Sequence, residues 1–546
     1  GGLEIHTTQD PDIQSVVDTE ISNPENYDVV YYSIDYRLSI QHADQTTTNY
    51  SDETLKTYFR KDLGESNFDG LFTSKEKADE AIEKYRTAMT KEGDTILGES
   101  VHYVLQPQAS FVLIDQSNGY VKALSGGRGQ KEVSLSLTRA TNTLRQPGST
   151  FKVITSFAPA IDTCGATLGS VYYDAPYTMG TKTFRNWYSS KGYMGYSTIR
   201  DGIVYSMNIV AVRCMMETVT PQLGVEYARN LGITSLTDTD YNASTALGGI
   251  TKGVSNLELT DAFATIANGG IYTKPVFFTQ ILDHNGKVLL ENEPETKRVL
   301  KDSTAFLLTD AMSQSMESSR MYASSGVSLN STSAVANIPG MSNAGKSGTT
   351  TSNNDIWFVG FTPYYTAGIW SGCDDNQKIS AIGSSTSYHK KIWKAIMTKV
   401  HEGLPDTGFP VPSSVTTAQI CRKSGKLAIP GVCDNDPRGS AVYTEYFAKG
   451  TVPTEVCDHH VQLTVCRESG GLPTEFCPES ERITRTFMVI PEGESGGTDD
   501  SKYHVPGPCT VHSASSVVLP SEDADGTGTT GSTKSEAAQE TVPETT

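Results

Sequence analysis

Three short motifs in a fixed order constrain this chain more than any other feature of its sequence. They are Ser149-Thr150-Phe151-Lys152, Ser206-Met207-Asn208 and Lys346-Ser347-Gly348-Thr349-Thr350. Together they match a three-part signature of sites at which a serine accepts an acyl group. The motifs are far apart in the chain, so the fold must bring three separate segments to one site.

The first motif pairs a nucleophile with a base. Lys152 lies three positions after Ser149, so on a helix the two side chains share a face one turn apart. Burial, or a second cation such as Lys346, would lower the pKa of Lys152 and let it accept a proton. The segment Gln146-Pro147-Gly148-Ser149 predicts a turn that opens an apolar helix. Ser149 is therefore expected at a helix N-terminus, where free N–H groups favour an oxyanion.

Chance matches must be weighed against this interpretation. Ser74 and Ser387 also begin S-x-x-K sequences. Ser74 opens a charged stretch that predicts a solvated helix face, and Ser387 lies in a Ser/Thr-rich loop with no apolar run behind it. Only Ser149 leads a helix that is predicted to be buried. The structural alternatives are that Ser149 and Ser206 merely cap helices.

The third motif is followed by two segments, 355–361 and 366–370, that predict a strand, a turn and a strand. A sheet edge is therefore expected beside the motif. The ammonium of Lys346 and the hydroxyls of Ser347 and Thr349 could hold the C-terminal carboxylate of an extended peptide there. A backbone N–H near Thr349 could complement that of the nucleophile as an oxyanion hole.

The second motif lies in an apolar run, residues 203–212, that predicts a buried segment. The Ser206 hydroxyl and the Asn208 amide would then need hydrogen-bond partners. A proton relay between Ser149 and a departing amine would supply such partners.

With these motifs, the segments Arg145–Lys152, Ala246–Gly249 and Trp357–Pro363 resemble the transpeptidase region of class A penicillin-binding proteins, bacterial enzymes that cross-link peptidoglycan. The resemblance runs from about residue 100 to about residue 400. It implies an α/β (α+β) fold of the penicillin-binding transpeptidase and serine β-lactamase type, an antiparallel sheet with helices on both faces, plus small flanking modules. The implied catalytic residues are Ser149, Lys152, Ser206, Asn208 and Lys346, and the implied substrate-binding residues are Ser347, Gly348, Thr349 and Thr350.

The first residues, Gly1–Gln14, resemble the stretch that follows the glycosyltransferase domain in this family. The resemblance implies that the chain is a soluble fragment of a membrane-tethered, bifunctional parent, since no run reaches the roughly 18 apolar residues that span a bilayer. The expected location is the extracytoplasmic face of a bacterial cell membrane or the cell wall. The expected ligands are peptidoglycan stem peptides and β-lactams. Partners in the cell wall, the divisome or the elongation machinery are compatible with this expectation. Contact with the membrane is expected only through an N-terminal anchor that is missing from this sequence.

Composition divides the chain into four predicted regions. The net charge of −19 is concentrated at the end, where ten acidic residues and two basic ones follow from Glu492 onward. No basic face with interleaved aromatic residues is found, which excludes nucleic acid as an expected partner. The predicted regions are a linker or small N-terminal module at 1–97, the transpeptidase domain at 98–405, a cysteine-containing repeat module at 406–480 and an acidic low-complexity tail at 481–546.

The repeat module holds five of the nine cysteines, at positions 421, 433, 457, 466 and 477. The segment Cys421–Leu427 recurs as Cys466–Leu472. For a chain that works outside the cell, small disulfide-stapled loops are the favoured interpretation. A zinc site of Cys457, His459, His460 and Cys466 is the alternative, disfavoured because there is no C-x-x-C pair. No metal or other cofactor is therefore expected.

The predicted function is a D,D-transpeptidase that forms an acyl-enzyme with D-Ala-D-Ala stem peptides and is acylated by β-lactams. Three alternatives remain. A β-lactamase would need a carboxylate for deacylation, usually in an E-x-x-L-N loop, and the sequence has no such segment. A D,D-carboxypeptidase would pass the acyl group to water, and a sensor or wall-binding protein would bind penicillin without catalysis.

Overall fold

The computed structural model describes residues 2–131, 134–322, 328–494 and 496–514. These residues form two compact units. Of the described residues, the first unit holds those up to Val461 together with Thr486–Val505, and the second holds Gln462–Arg485 and residues 506–514. The sequence predicts an acidic low-complexity tail from residue 481, but folded chain continues beyond that point. The part of this predicted tail after residue 514 lies outside the described residues.

The N-terminal region forms a small sheet covered by helices. Its three antiparallel strands have the order β3-β2-β4, and helix α3 buries Ala78, Ala81, Ile82 and Tyr85 against it. The Ser74 hydroxyl accepts the Lys77 N–H at 3.3 Å and caps α3, so this S-x-x-K match is a helix cap. The elements are β1 (Glu4–Thr7), α1 (Pro11–Ser22), β2 (Tyr31–Gln41), β3 (Thr47–Ser51), α2 (Asp52–Thr57), α3 (Lys75–Met89) and β4 (Thr95–Gln106).

The central region holds most of the helices and a five-stranded sheet. Its helices are α4 (Ala158–Asp162), α5 (Ile199–Val204), α6 (Asn208–Arg213), α7 (Pro221–Asn230), α8 (Asn256–Ala267), α9 (Asp302–Met316) and α10 (Tyr388–Val400). Its strands are β5 (Gln108–Asp115), β6 (Tyr120–Ser125), β7 (Val171–Asp174), β8 (Tyr177–Met179), β9 (Lys182–Phe184), β10 (Gly195–Thr198), β11 (Ile271–Thr273), β12 (Phe278–Leu282), β13 (Val288–Glu291), β14 (Thr296–Arg298), β15 (Arg320–Tyr322), β16 (Ser328–Asn330), β17 (Ala344–Thr349), β18 (Asp355–Phe361) and β19 (Tyr365–Gly372).

The five-stranded sheet is antiparallel, with the order β17-β18-β19-β5-β6. Alternate residues of β18 point to opposite faces. Trp357 and Val359 join the core that contains α8 and α9, whereas Ile356 and Phe358 join the core that contains α1 and α10. The predicted antiparallel sheet with helices on both faces is confirmed.

Helix α10 corrects one expectation. Ser387 immediately precedes this helix, whose buried residues include Ile392, Trp393 and Ile396. The expectation that only Ser149 leads a buried helix was therefore wrong. The apolar residues after Ser387 recur at helical spacing among lysines, so they do not stand out as a continuous run.

The first motif lies where three helical geometries follow one another. Gly148–Thr150 forms a 3₁₀ turn, Lys152–Phe157 is π-helical and α4 continues from Ala158. Every residue from Lys152 to Phe157 is buried. π-helical turns of this kind are frequent at functional sites, where they shift the direction of side chains.

Two hairpins follow the central region. They are formed by β20 (Val415–Cys421) with β21 (Val442–Ala448) and by β22 (His460–Cys466) with β23 (Arg482–Met488). In the part of the chain that the structure describes, no helix has both the length and the apolar character needed to cross a bilayer.

Candidate active site

Lys152 is the centre of a buried polar cluster built from the first and second motifs. Its Nζ lies 2.7 Å from the carbonyl oxygen of Ser206, 3.1 Å from the hydroxyl of Ser206 and 2.6 Å from Oδ1 of Asn208. The lysine side chain is 0% exposed. The fold thus brings these two motifs into direct contact.

Ser206 occupies the sharp bend between α5 and α6. Its φ angle is +52°, in the left-handed region that residues other than glycine rarely adopt. Strained backbone of this kind persists where surrounding structure imposes it, often at functional sites. At this bend, both the carbonyl and the hydroxyl of Ser206 contact Lys152.

Lys346 connects the third motif to the same hydroxyl. Its Nζ lies 2.9 Å from the Ser206 Oγ and 2.9 Å from the carbonyl oxygen of Ser347. Like Lys152, it is 0% exposed. Ser206 therefore lies between two buried amines, and Lys346 is not available as a solvent-facing cation for a carboxylate.

Burial controls the protonation of both amines. It lowers the pKa of Lys152 well below the ordinary value, and the positive charge of Lys346 lowers that pKa further. Burial also lowers the pKa of Lys346 to about 7, with a smaller contribution from Lys390. The pKa of Lys390 falls to about 8 for the same reason. Near neutral pH the uncharged form of Lys152 is therefore favoured, as a base requires, whereas Lys346 is divided between its two forms and Lys390 stays mostly charged.

Ser149 lies on the turn that precedes Lys152 and is half-buried. Within the described residues its hydroxyl forms no hydrogen bond, so Lys152 is held by the second motif and not by Ser149. Gly148 next to it has φ +56°, and a Cβ there would lie 2.8 Å from the carbonyl oxygen of Thr349. The turn thus packs directly on the backbone of the third motif, which places Ser149 beside that strand.

Strand β17 forms an edge of the five-stranded sheet. Ser347 and Thr349 are two residues apart on this strand, so they share a face and are more exposed than Lys346 and Gly348. Thr350 differs, because its hydroxyl accepts the N–H groups of Asn354 and Asp355 at 3.2 and 3.1 Å. Thr350 therefore shapes the turn after β17, and its role in substrate binding stays a prediction.

The segment that precedes Ser149 is fixed by contacts with three other segments. The indole of Trp357 donates to the carbonyl of Gln146 at 2.9 Å, and the Gln146 side chain donates to the carbonyl of Ile250 at 3.1 Å. Arg145 donates to the carbonyl of Cys373 at 2.8 Å and pairs its backbone with Val254. The sequence that surrounds the first motif thus positions the turn.

Asn186 was not identified from the sequence. Its Oδ1 accepts the N–H groups of Asn208 and Ile209, at 2.8 and 3.1 Å, at the start of α6. Its Nδ2 donates to the buried Asp174 at 2.5 Å. Asn186 therefore orients the second motif from a loop that contains no recognisable motif, and only its burial and contacts identify it.

The cysteines do not form the expected disulfides. All nine carry free thiols, and six of them lie with two histidines in two compact groups. The first group is Cys421, Cys433, Cys457 and His460, and the second is Cys466, Cys477, Cys509 and His512. The zinc alternative from the sequence combined residues of both groups with His459, which belongs to neither.

Two protein families match this chain, one after the other along the sequence. The family "Penicillin binding protein transpeptidase domain" matches residues 109–398, and "Penicillin-binding protein 1A, C-terminal domain" matches residues 411–462. Penicillin-binding protein 1A of Clostridium botulinum is 35% identical over 399 residues, which are 70% of this chain and 46% of that protein. Penicillin-binding protein 1A/1B of Bacillus subtilis is 29% identical over 433 residues, covering 75% of this chain and 45% of that protein.

Two solved structures share the fold. Penicillin-binding protein 1A from Haemophilus influenzae has a TM-score of 0.58 at 19% identity, covering 83% of this chain and 73% of that one. PonA1 from Mycobacterium tuberculosis, in complex with penicillin V, has a TM-score of 0.53 at 21% identity, covering 76% of this chain and 89% of that one. With a family match over more than half of its length, the chain belongs to the penicillin-binding protein transpeptidase family, a family of serine acyltransferases and peptidases.

Proposed function

We propose that this chain is a peptidoglycan D,D-transpeptidase that uses Ser149 as its nucleophile. The observation that carries the proposal is the buried contact of Lys152 and Lys346 with one hydroxyl, that of Ser206. The turn that bears Ser149 packs on the edge strand beside this cluster. No other serine of the described residues combines an S-x-x-K motif with such a cluster.

In the proposed first step, the Ser149 oxygen attacks the carbonyl carbon of the penultimate D-Ala of a stem peptide. The bond to the last D-Ala breaks, an ester forms on Ser149, and the departing amine receives a proton. An amine of a neighbouring stem peptide then attacks the ester, which forms the cross-link and returns a proton to Ser149. A β-lactam would acylate the same serine: the ring C–N bond breaks as the ester forms, and the protonated amine stays attached to the acyl group.

Lys152 is the proposed base. In its uncharged form it keeps two N–H donors for the Ser206 carbonyl and the Asn208 Oδ1, which leaves a lone pair for a hydroxyl proton. The Ser206 hydroxyl contacts both lysines and can pass a proton toward the departing amine. General acid–base assistance of this kind contributes about 10²–10⁴ in rate.

The edge strand is proposed to bind the peptide. The hydroxyls of Ser347 and Thr349 share a face, and we assign them to the terminal carboxylate. The backbone N–H groups of Ser149 and Thr349 are the proposed oxyanion donors, since a Cβ on Gly148 would lie only 2.9 Å from the Thr349 nitrogen. Loss of one such donor costs about 2.7–4 kcal/mol of transition-state stabilisation.

Mass spectrometry after penicillin treatment tests the nucleophile. We expect one adduct per chain, mapped to the peptide that contains Ser149, and none in Ser149→Ala. Ser74→Ala is the matched control, because Ser74 begins an S-x-x-K sequence but only caps α3. An adduct that persists in Ser149→Ala would overturn the assignment.

Product analysis separates the alternatives. With a stem peptide and an amine acceptor, a transpeptidase forms the cross-linked product, whereas a D,D-carboxypeptidase releases only the shortened peptide. Rapid penicillin turnover would indicate a β-lactamase. A penicillin adduct with no product from any peptide or thioester donor would indicate a sensor or wall-binding protein.

The chain spans less than half the length of the Clostridium botulinum relative. We propose that the parent protein also carries a glycosyltransferase domain and a membrane anchor, and that it works at the extracytoplasmic face of a bacterial membrane. The sequence resemblance of Gly1–Gln14 to the stretch after such a domain supports this. Expression of the whole parent with lipid II as substrate would test it by glycan polymerisation.

A further inference from the structure

Two groups of side chains after residue 415 have no role in the chemistry above. Each contains three cysteines and one histidine, and within each group the ligand atoms all lie within 4.8 Å of one another. Seven of the eight residues are buried, and His512 is half-buried. We propose that each group binds one structural zinc ion, so that the chain carries two.

The first group is assembled by a strand end, two loops and a Cys-x-x-His segment. β20 ends at Cys421, whose Sγ lies 3.3 Å from Nδ1 of His460, and the Sγ of Cys457 lies 3.5 Å from the same nitrogen. The sulfur of Cys433 accepts the N–H of Ile429 at 3.3 Å. Backbone N–H groups directed at sulfur stabilise the thiolate that a metal requires.

The second group repeats this construction. Cys466 ends β22, and its Sγ lies 3.4 Å from Nδ1 of His512, while the Sγ of Cys509 lies 3.6 Å from that nitrogen. The sulfur of Cys477 accepts the N–H of Thr474 at 3.4 Å.

Matching backbone contacts show that the two groups are repeats of one design. Gly425 donates to the carbonyl of Cys421 and Gly470 to that of Cys466, both at 2.8 Å. Each third cysteine continues the pattern, since Cys457 donates to the carbonyl of Leu427 at 2.8 Å and Cys509 donates to that of Leu472 at 2.7 Å. A chance approach of thiols would not recur with the same turns and the same Cys-x-x-His spacing.

The ligand set and its dimensions favour zinc. A Zn–S bond of about 2.3 Å and a Zn–N bond of about 2.0 Å place the ligand atoms of a tetrahedral site roughly 3.5–3.8 Å apart. The S···N distances of 3.3 to 3.6 Å in the two groups lie close to this range. Four protein ligands leave no open position, which is typical of a structural site. Disulfides would pair only two of the three sulfurs in each group.

The surroundings of His460 also fit a metal ligand. Its Nε2 lies 2.8 Å from Oδ2 of Asp436, so Nδ1 is the nitrogen that faces the sulfurs. A carboxylate on the far nitrogen fixes the tautomer of a zinc-bound histidine. Asp436 is itself paired with Arg438 at 2.8 Å, and Arg438 pairs with Asp499 at 3.0 Å and with Asp500.

Elemental analysis of the whole chain, purified from zinc-containing medium without chelator, tests the proposal. We expect two zinc ions per chain, and one in each of His460→Gln and His512→Gln. The matched controls are His459→Gln and His504→Gln, which alter histidines outside the groups and should retain two. A control that loses zinc while both ligand variants keep it would overturn the assignment.

A second measurement does not depend on variants that fold. Cobalt added to the metal-stripped, unaltered chain should give the intense visible bands of tetrahedral thiolate coordination, saturating at two equivalents. In a thiol titration of the chain as purified, the six cysteines of the two groups should react only after denaturation with chelator, whereas the partly exposed Cys164 lies outside both groups and needs no chelator to react. Less than half an equivalent of zinc, no cobalt bands and disulfides in the peptide map would together overturn the proposal in favour of oxidised cysteines.

Discussion

Two clusters of buried polar side chains differ in whether charged groups have partners of opposite charge. One is the cluster of Lys152, Lys346, Ser206 and Asn208, and the other is the first cysteine group, around His460. Lys152 and Lys346 are surrounded by hydroxyl, amide and carbonyl groups, and within the described residues neither lies in an ion pair. Around His460, by contrast, Asp436 and Arg438 pair each charge with an opposite one. The first arrangement disfavours charge, as the proposed base requires, whereas the second satisfies charge, as suits the proposed structural zinc site.

The largest expected effect comes from Lys152→Met, which removes the amine at nearly constant volume. We expect the rate of penicillin acylation to fall by about 10²–10⁴. The melting temperature should stay the same or rise, because methionine avoids the cost of burying an amine. Stopped-flow acylation and calorimetry would measure the two effects.

Lys56→Met is the control for this substitution, since Lys56 is also a largely covered lysine, with a side chain 12% exposed, but its amine is paired with Asp52 and Glu53. It should leave acylation unchanged. If Lys152→Met unfolded the protein while acylation per folded molecule stayed normal, the contrast drawn between the two clusters would be wrong.

The next effect is a dependence of stability on pH. Burial lowers the pKa of Lys346 to about 7 from its ordinary 10.5, so between these values the unfolded chain binds more protons than the folded chain. The free energy of unfolding should therefore rise with pH from about 7 to about 9, on the order of 2 kcal/mol for this group. Urea unfolding across this range would measure the rise, and Lys346→Met should flatten it. An equal slope in both proteins would contradict the buried-amine explanation.

A smaller effect should distinguish the two cysteine groups from each other. Asp436 is buried at 2.8 Å from its histidine, whereas Glu468 is 59% exposed at 3.6 Å from His512. Asp436→Asn should weaken zinc retention by about 10- to 100-fold, and Glu468→Gln should change it much less. Competition with a chromophoric chelator would measure both, and equal losses would show that burial of the carboxylate does not matter.

The smallest effect concerns the bend at Ser206. Ser206→Gly and Ser206→Ala both remove the hydroxyl between the lysines, but only glycine relieves the positive φ. We expect the glycine variant to be more stable than the alanine variant by about 1 kcal/mol, with acylation impaired in both. Denaturant titration would compare them, and equal stability would mean that the bend is not strained.

Much of the active centre could be predicted from the sequence because its motifs are local. The three motifs meet in the fold, and the residue pattern after Lys346 predicts the paired strands β18 and β19. The helices on both faces of the sheet were expected only from the family resemblance. Asn186 could not be predicted, because it lies in a loop and its side chain accepts the backbone N–H of Asn208, which is 22 residues further along the chain. Thr350 belongs to the third motif, but its hydroxyl accepts the backbone N–H of Asp355 in the turn after β17. The sequence does not indicate which hydroxyl of the motif makes this hydrogen bond.

The cysteine groups escaped prediction for a different reason. The repeat was recognised, but the module was ended at residue 480, which left Cys509 and His512 outside it. The shared Cys-x-x-His spacing of Cys457 with His460 and of Cys509 with His512 was the available signal. Each group also forms only when separate segments of the chain fold together, and no sequence pattern shows directly that these segments meet.

The position of β17 at the edge of its sheet has a further consequence. An uncovered edge strand can recruit a strand from another copy of the chain and so promote aggregation. Here the turn at Gly148 packs across Thr349, so part of this edge is sterically blocked. The contact that positions the proposed nucleophile therefore also shields the Thr349 end of the edge strand from pairing with another chain, and we expect substitutions that enlarge residue 148 to reduce solubility as well as activity.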